Sequence, residues 1–297
     1  MRPGSAPEDG GNRPRGARRR FLGYPSRVRR PPSTVRLEPR LAAVLELVPA
    51  GSVVADIGTD HALLSLALLE SGRALRCIAS EPSAARLARA SARVAASRWA
   101  SRLDLRSGDG LAVLSRRDTV TVVVLAGLGG HTIRRILDGP RRKTLAPARL
   151  VLQPQTAPAV VRRWLAGAGY RLVAERLVRE ARRFYVVLAA EPGAEDLCHP
   201  SLSPGDLFET GPLLVRSGDP LVEAFWRAEL RRARAILERA RGGRGRDDAR
   251  ARAALAGRVL AALHDVPRIQ SCPPGRGGAR ERPDGEGVQE PRVPGEP

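Results

Sequence analysis

The run "TVTVVVLAG", from Thr119 to Gly127, is apolar on both of its alternating faces. A strand of that kind needs cover on both sides, which helices provide to the central strand of a parallel sheet. The flanking sequence fits that arrangement. Short strand-like runs at Ser52–Ile57, Leu75–Ser80, Leu103–Arg106, Thr119–Ala126 and Arg149–Gln153 alternate with helical patterns near 61–71, 83–98, 110–117, 130–138 and 156–167. Such alternation predicts an α/β fold with a doubly wound, mostly parallel sheet and right-handed crossovers. After Gly169, "YRLVAERLV" and "RFYVVLAA" read as a hairpin that adds antiparallel edge strands.

The expected organisation is a disordered basic tail over 1–36, a catalytic α/β domain over 37–193 and a linker over 194–219. A helical hairpin over 220–266 and a disordered tail over 267–297 complete it. The hairpin reading rests on two apolar stripes. One comprises Val222, Phe225, Trp226, Leu230, Ala233, Leu237 and Ala240; the other comprises Leu255, Val259 and Leu263. "RGGRGR" separates them, and Asp247 is the expected N-cap of the second helix.

The chain carries a formal net charge of +20, with Lys143 its single lysine. The excess is localised: residues 37–193 hold 24 basic and 13 acidic residues, and 1–36 hold ten arginines and two acids. A basic surface on the α/β domain points to a polyanionic partner, with RNA or DNA foremost. Cys77, Cys198 and Cys272 are odd in number and far apart, with neither metal spacing nor a disulfide framework, as expected of a reducing cytosol. No metal is expected. There is no apolar run of about 18 residues, so no membrane span is expected. These features predict a cytoplasmic protein, and a monomer is assumed.

The first strand-to-helix turn reads "VVADIGTDHA". Ligands of doubly wound sheets sit beyond the carboxyl ends of the strands, beside strand one. A pyrophosphate there is met by G-x-G-x-x-G; here Gly58 stands alone and is followed by Thr59 and Asp60. An acidic lining suits a cationic ligand without phosphate, and S-adenosylmethionine brings a sulfonium, an ammonium and two ribose hydroxyls. Glu81 ends strand two, where it is placed to accept both hydroxyls. Asp109, followed by Gly110 in "SGDG", is placed to accept from an adenine amino group. Each acid has a plainer reading as a helix cap. "LAGLGG" after strand four allows close backbone approach to donor or substrate. His61 and His131 flank the same strand ends and are as readily structural as functional.

Together, "VVADIGTDHA", "IASE", "SGDGL", "AGLGG", "LVLQPQ", "RRWLAGAGYRLV" and "RFY" with "AAEPG" resemble one family. It is the bacterial tRNA (adenine-22-N1)-methyltransferase family, and the likeness runs from about Arg36 to Ala240. The resemblance implies a class I S-adenosylmethionine-dependent fold with a C-terminal helical coiled coil. It also implies methyl transfer to N1 of an adenine in the tRNA D-arm. The implied donor pocket comprises Asp56, Gly58, Asp60, His61, Glu81, Asp109 and the loop containing Ala126, Gly127, Gly129 and Gly130. Four positions depart from the family pattern: Leu63 and Ser65 replace an aromatic residue and a proline, Gln155 an asparagine and Val186 an acid. These departures are expected to spare the donor site and to concern contacts with the target adenine.

The residues expected at the target base are Asp60, Gln153 and Gln155 for catalysis, with Phe184 and Tyr185 holding the ring. Gly130, His131, Arg134, Arg135, Arg162, Arg163 and the tail arginines are expected to meet the tRNA. Competing readings are a methyltransferase of the same fold acting on another RNA or a small molecule, a nicotinamide-dependent oxidoreductase, and a non-catalytic RNA-binding relative.

Overall fold

The computed structural model describes residues 35–139, 149–240 and 242–265. The expected tails, apart from Val35 and Arg36, lie outside these residues. A seven-stranded sheet organises the α/β part in the order β3-β2-β1-β4-β5-β7-β6. Its strands are β1 (Ser52–Ile57), β2 (Ala74–Glu81), β3 (Leu103–Ser107), β4 (Val122–Leu128) and β5 (Arg149–Pro154), then β6 (Tyr170–Glu180) and β7 (Arg183–Pro192). β1 to β5 are parallel, whereas β7 pairs antiparallel with both β5 and β6. The expected hairpin is therefore present, and its second strand is the one that joins the sheet.

Helices α1 (Pro39–Leu47), α2 (Leu63–Glu70) and α3 (Ala84–Ala95) share one core with one face of the sheet. Helices α4 (Gly130–Leu137) and α5 (Pro158–Gly167) share a second core with the other face. The strands divide accordingly: Val122 and Val124 join the first core, Val123 and Leu125 the second. This is the two-sided burial that the β4 sequence demanded. β1 lies between β2 and β4, so the crevice beyond its carboxyl end is the switch point of the fold.

Several local expectations are corrected. The segment 110–117 forms two 3-10 turns, Gly110–Val113 and Arg116–Asp118, in place of an α-helix. Ser115 and Asp118 close the second turn as a capping box. Thr119 follows with φ 49°, so β4 begins only at Val122. Helix α1 was not anticipated. Cys77 is a buried free thiol.

Within 194–219 the structure contains α6 (Pro204–Thr210) and α7 (Pro212–Val215). Then α8 (Pro220–Arg239) and α9 (Arg244–His264) pack as an antiparallel pair. Val222, Trp226, Leu255 and Val259 share a third core with Leu177 of β6 and with Leu207, Leu214 and Val215. Helix α9 starts earlier than expected: Gly243, at φ 84°, is its N-cap and Asp247 lies inside the first turn. Arg246 reaches back to the Leu237 and Ala240 carbonyls, satisfying the end of α8.

Candidate active site

The turn after β1 is built by the end of β2. The Gly58 and Thr59 amides both donate to the Ser80 carbonyl, each at 2.9 Å. Gly58 has φ 79°, and Asp60 and Ala62 also adopt left-handed values of 51° and 57°. Two non-glycine residues in that region store about 1 kcal/mol or more each, a cost that surrounding contacts must over-determine. Here the Asp60 amide donates to Glu81 Oε2 at 3.3 Å, and the Ala62 amide to the Thr59 carbonyl at 3.0 Å.

Asp56 ends β1 nearly buried. Its Oδ2 accepts from Thr59 Oγ1 at 2.7 Å and from Ser65 Oγ at 2.6 Å. Among the described residues nothing donates to Oδ1. Burial pushes the Asp56 carboxyl above the usual range, and the Ser65 and Thr59 hydroxyls pull against it. Ser65, expected to concern the target adenine, supports the buried Asp56 carboxylate.

Glu81 is 2 % exposed. Besides Asp60, it accepts from the Ser83 amide at 3.0 Å and Arg86 Nε at 2.8 Å, both on Oε1. Asp60 is about half exposed, with His61 Nε2 at 3.5 Å from its Oδ2 and Arg86 Nε at 3.9 Å from its Oδ1. Asp109 is exposed at the N-cap of a 3-10 turn but forms no side-chain cap bond. Its carboxylate has no partner among the described residues, which removes the plainer capping reading. Gly110 is buried with φ 57°, and a Cβ there would lie 3.3 Å from Ile136 Cγ2.

Beyond β4 the three glycines have distinct roles. Gly127, at φ 78°, sits at a register shift between Ala126 and Leu128, and its amide donates to Gln153 Oε1 at 3.1 Å. Gly129 is extended at φ −65° and caps α4. Gly130 is buried so closely that a Cβ would stand 2.4 Å from the Ala157 carbonyl oxygen. Gly130 therefore packs α4 onto the β5–α5 connection and is not a tRNA contact. Gln153 is fully buried, and its Oε1 accepts from the Gly127 amide and holds the bulge. Gln155 is exposed with its Nε2 beside Gly127.

The other expected substrate residues separate. His131, Arg134 and Arg135 line one open hollow on α4 together with Asp138, which is 3.4 Å from Arg134 Nε. Arg162 is buried, with Nε 2.8 Å from Glu175 Oε1 and Nη1 2.8 Å from the Phe208 carbonyl. Glu175 in turn accepts the Leu213 and Leu214 amides. This cluster ties α5 and β6 to α6 and α7, an anchoring role in place of the expected surface one. Arg163 is exposed but pairs with Glu209 at 2.9 Å. Phe184 and Tyr185 point to opposite faces of β7: Phe184 meets Phe225 edge-on at 5.2 Å, and Arg40 covers the Tyr185 ring. They cannot both hold one base.

Residues 54–260 match the family model described as tRNA (adenine(22)-N(1))-methyltransferase, TrmK. The chain belongs to this family. A Bacillus subtilis tRNA (adenine(22)-N(1))-methyltransferase is 32% identical over 204 residues, covering 69% of this chain and 85% of that protein. The crystal structure of B. subtilis TrmK superposes with a TM-score of 0.65 at 30% identity, over 78% of this chain and 99% of that one. A Streptococcus pneumoniae protein solved in complex with S-adenosyl-L-methionine gives 0.66 at 31% identity, over 74% and 98%.

Against the TrmK pattern, sequence reasoning missed Thr59 and Ser65 on Asp56, and Arg86 on Glu81. The hydroxyls carry no spacing signal of their own. Arg86 is one arginine among many, and only the start of α3 turns it onto Glu81.

Proposed function

We propose that this TrmK-family chain transfers the methyl group of S-adenosylmethionine to N1 of adenine 22 in the tRNA D-arm. The observation that carries the reading is the set of acceptors at three successive strand ends: Asp56 Oδ1, the Glu81 carboxylate and the unpartnered Asp109. They fit a donor with an ammonium, two ribose hydroxyls and an adenine amino group. They also fit poorly with a dinucleotide, whose phosphates carboxylates would repel.

S-adenosylmethionine, when bound, supplies an electrophilic methyl group. N1 of neutral adenine already carries an in-plane lone pair, so the chain needs no general base to deprotonate it. Its contribution is alignment, with proximity accounting for most of the barrier reduction. N1 lies on the Watson–Crick edge, so the target nucleotide must leave its stack to reach the pocket. The Asp60 carboxylate then steadies the exocyclic amino group as the ring gains positive charge. Exposed Gln155, over the Gly127 bulge, contacts the base, while His131, Arg134 and Arg135 meet phosphates beside it. Gly58, His61, Ala126 and Gly129 shape the donor pocket with the acids. Residues 37–193 carry the methyltransferase activity, and α8 with α9 form a helical hairpin beside it. The protein acts in the cytoplasm. Among the described residues no helix is long and apolar enough to cross a membrane, and no acid, His or Cys cluster of metal-binding size occurs.

Mass spectrometry of tRNA nucleosides with and without the gene tests the reaction: 1-methyladenosine should disappear on deletion. Calorimetry tests the donor, and heat with NADH but none with S-adenosylmethionine would overturn the assignment. An Asp60→Ala enzyme should bind the donor normally and lose turnover; full turnover would remove Asp60 from the mechanism.

A further inference from the structure

Between Ala84 and Arg102 the chain has five arginines, at 86, 89, 93, 98 and 102, and no acid. All five are exposed. Arg86, Arg89 and Arg93 fall at i, i+3 and i+7 of α3, one stripe of about 10 Å, while Ala90 and Val94 face the core. On the helical pair, Arg227, Arg232, Arg252 and Arg258 each lie within 3.1 Å of a carboxylate, whereas exposed Arg231, Arg234 and Arg239 have none among the described residues. On α3, Arg86 alone has such a partner. Arg89, Arg93, Arg98 and Arg102 have no carboxylate among the described residues.

Arg98 and Arg102 instead share one ring. Their guanidinium carbons stand 4.9 and 5.7 Å from the centroid of Trp99, which is itself packed against the core. Two cations gathered on one indole repel each other. The ring face offsets part of that repulsion and fixes their positions. Fixed, unneutralised guanidinium groups are suited to phosphate oxygens. The placement also has a direction. Helix α3 begins just after Glu81 at the carboxyl end of β2, and Arg102 precedes Leu103, which pairs with Cys77 nearer the start of β2. The stripe therefore runs from the donor pocket's rim toward the opposite edge of the sheet.

We infer that α3 and the Arg98-Trp99-Arg102 turn form a phosphate track that holds the tRNA backbone outside the D-arm target. The inference rests on the tRNA reading above and adds a surface on the face of the sheet opposite α4. Full-length tRNA binding is compared for the wild type, an Arg93→Gln/Arg98→Gln/Arg102→Gln variant and the charge-preserving lysine triple. For the glutamine triple, affinity at about 0.1 M salt should fall at least tenfold, and the slope of log affinity against log salt should shrink by about 2–3. The loss in kcat/KM should be at least tenfold larger on full-length tRNA than on an isolated D-arm stem-loop. The lysine triple should keep most of the affinity and the slope. An unchanged slope, or equal losses on the two RNAs, overturns the track. Wild-type protein that binds tRNA without methylating it overturns the enzymatic reading instead, and the slope comparison still decides the track.

Discussion

The two halves of the sheet's carboxyl rim are built differently. On the half proposed above to hold the donor, at the ends of β1, β2 and β3, the acids sit where their strands stop; neighbours within a few residues or on the adjacent strand orient Asp56 and Glu81, while Asp109 stands unpartnered among the described residues. On the half proposed to face the target base, at the ends of β4 and β5 and the start of antiparallel β7, residues close in sequence take unrelated roles. Arg162 is buried and Arg163 exposed; Phe184 and Tyr185 face opposite ways; Gln153 holds a bulge and Gln155 meets solvent. The donor half needs only a strand end, whereas the acceptor half is also where the hairpin and the helical pair are anchored. Its polar residues are therefore divided between buried anchors and solvent-facing positions.

The largest expected effect tests that division. Arg162→Ala leaves Glu175 buried without its charge partner and should cost about 3–5 kcal/mol in denaturant unfolding. Arg163→Ala, on an exposed pair, should cost less than about 1 kcal/mol. Similar costs at both sites would erase the distinction between anchor and surface. Gly130→Ala comes next. Its new Cβ meets the Ala157 carbonyl, and rigid backbone on both sides should make this cost about 1–3 kcal/mol, with turnover falling as α4 shifts.

On the donor half, changes should alter binding more than folding. Asp109→Ala should weaken S-adenosylmethionine binding about tenfold in calorimetry while the melting temperature holds, because its carboxylate supports no other described group. Ser65→Ala should cost about 1 kcal/mol of stability. The Ser65 hydroxyl lowers the Asp56 pKa, so its loss moves Asp56 protonation to higher pH, and donor affinity should begin to fall at higher pH on acidification. The accompanying stability change has a defined sign. Burial raises the folded Asp56 pKa above 3.8, so the native state holds the proton longer. Asp56 therefore subtracts stability as pH rises from 3.8 to its raised value. Asp118 does the opposite: Arg106 holds it well below 3.8, and the stability it adds is lost as pH falls from 3.8 toward that lowered value. Melting curves of Asp118→Asn should show a flatter acid limb than wild type.

What was legible in the sequence follows the same line. The all-apolar β4 run required cover on both faces and so fixed a helix-flanked sheet. The lone Gly58 followed by acids separated this turn from a phosphate-binding one. Those properties are local, because strand period and turn chemistry act over a few residues. Tertiary structure alone decided which arginines are free, that Ser65 bonds Asp56, that β7 rather than β6 joins β5, and that α9 starts at Arg244. Each depends on groups far apart in the chain meeting across a packed core. Burial and hydrogen-bond partners assign a side chain its role there, and neither is written in its immediate neighbours.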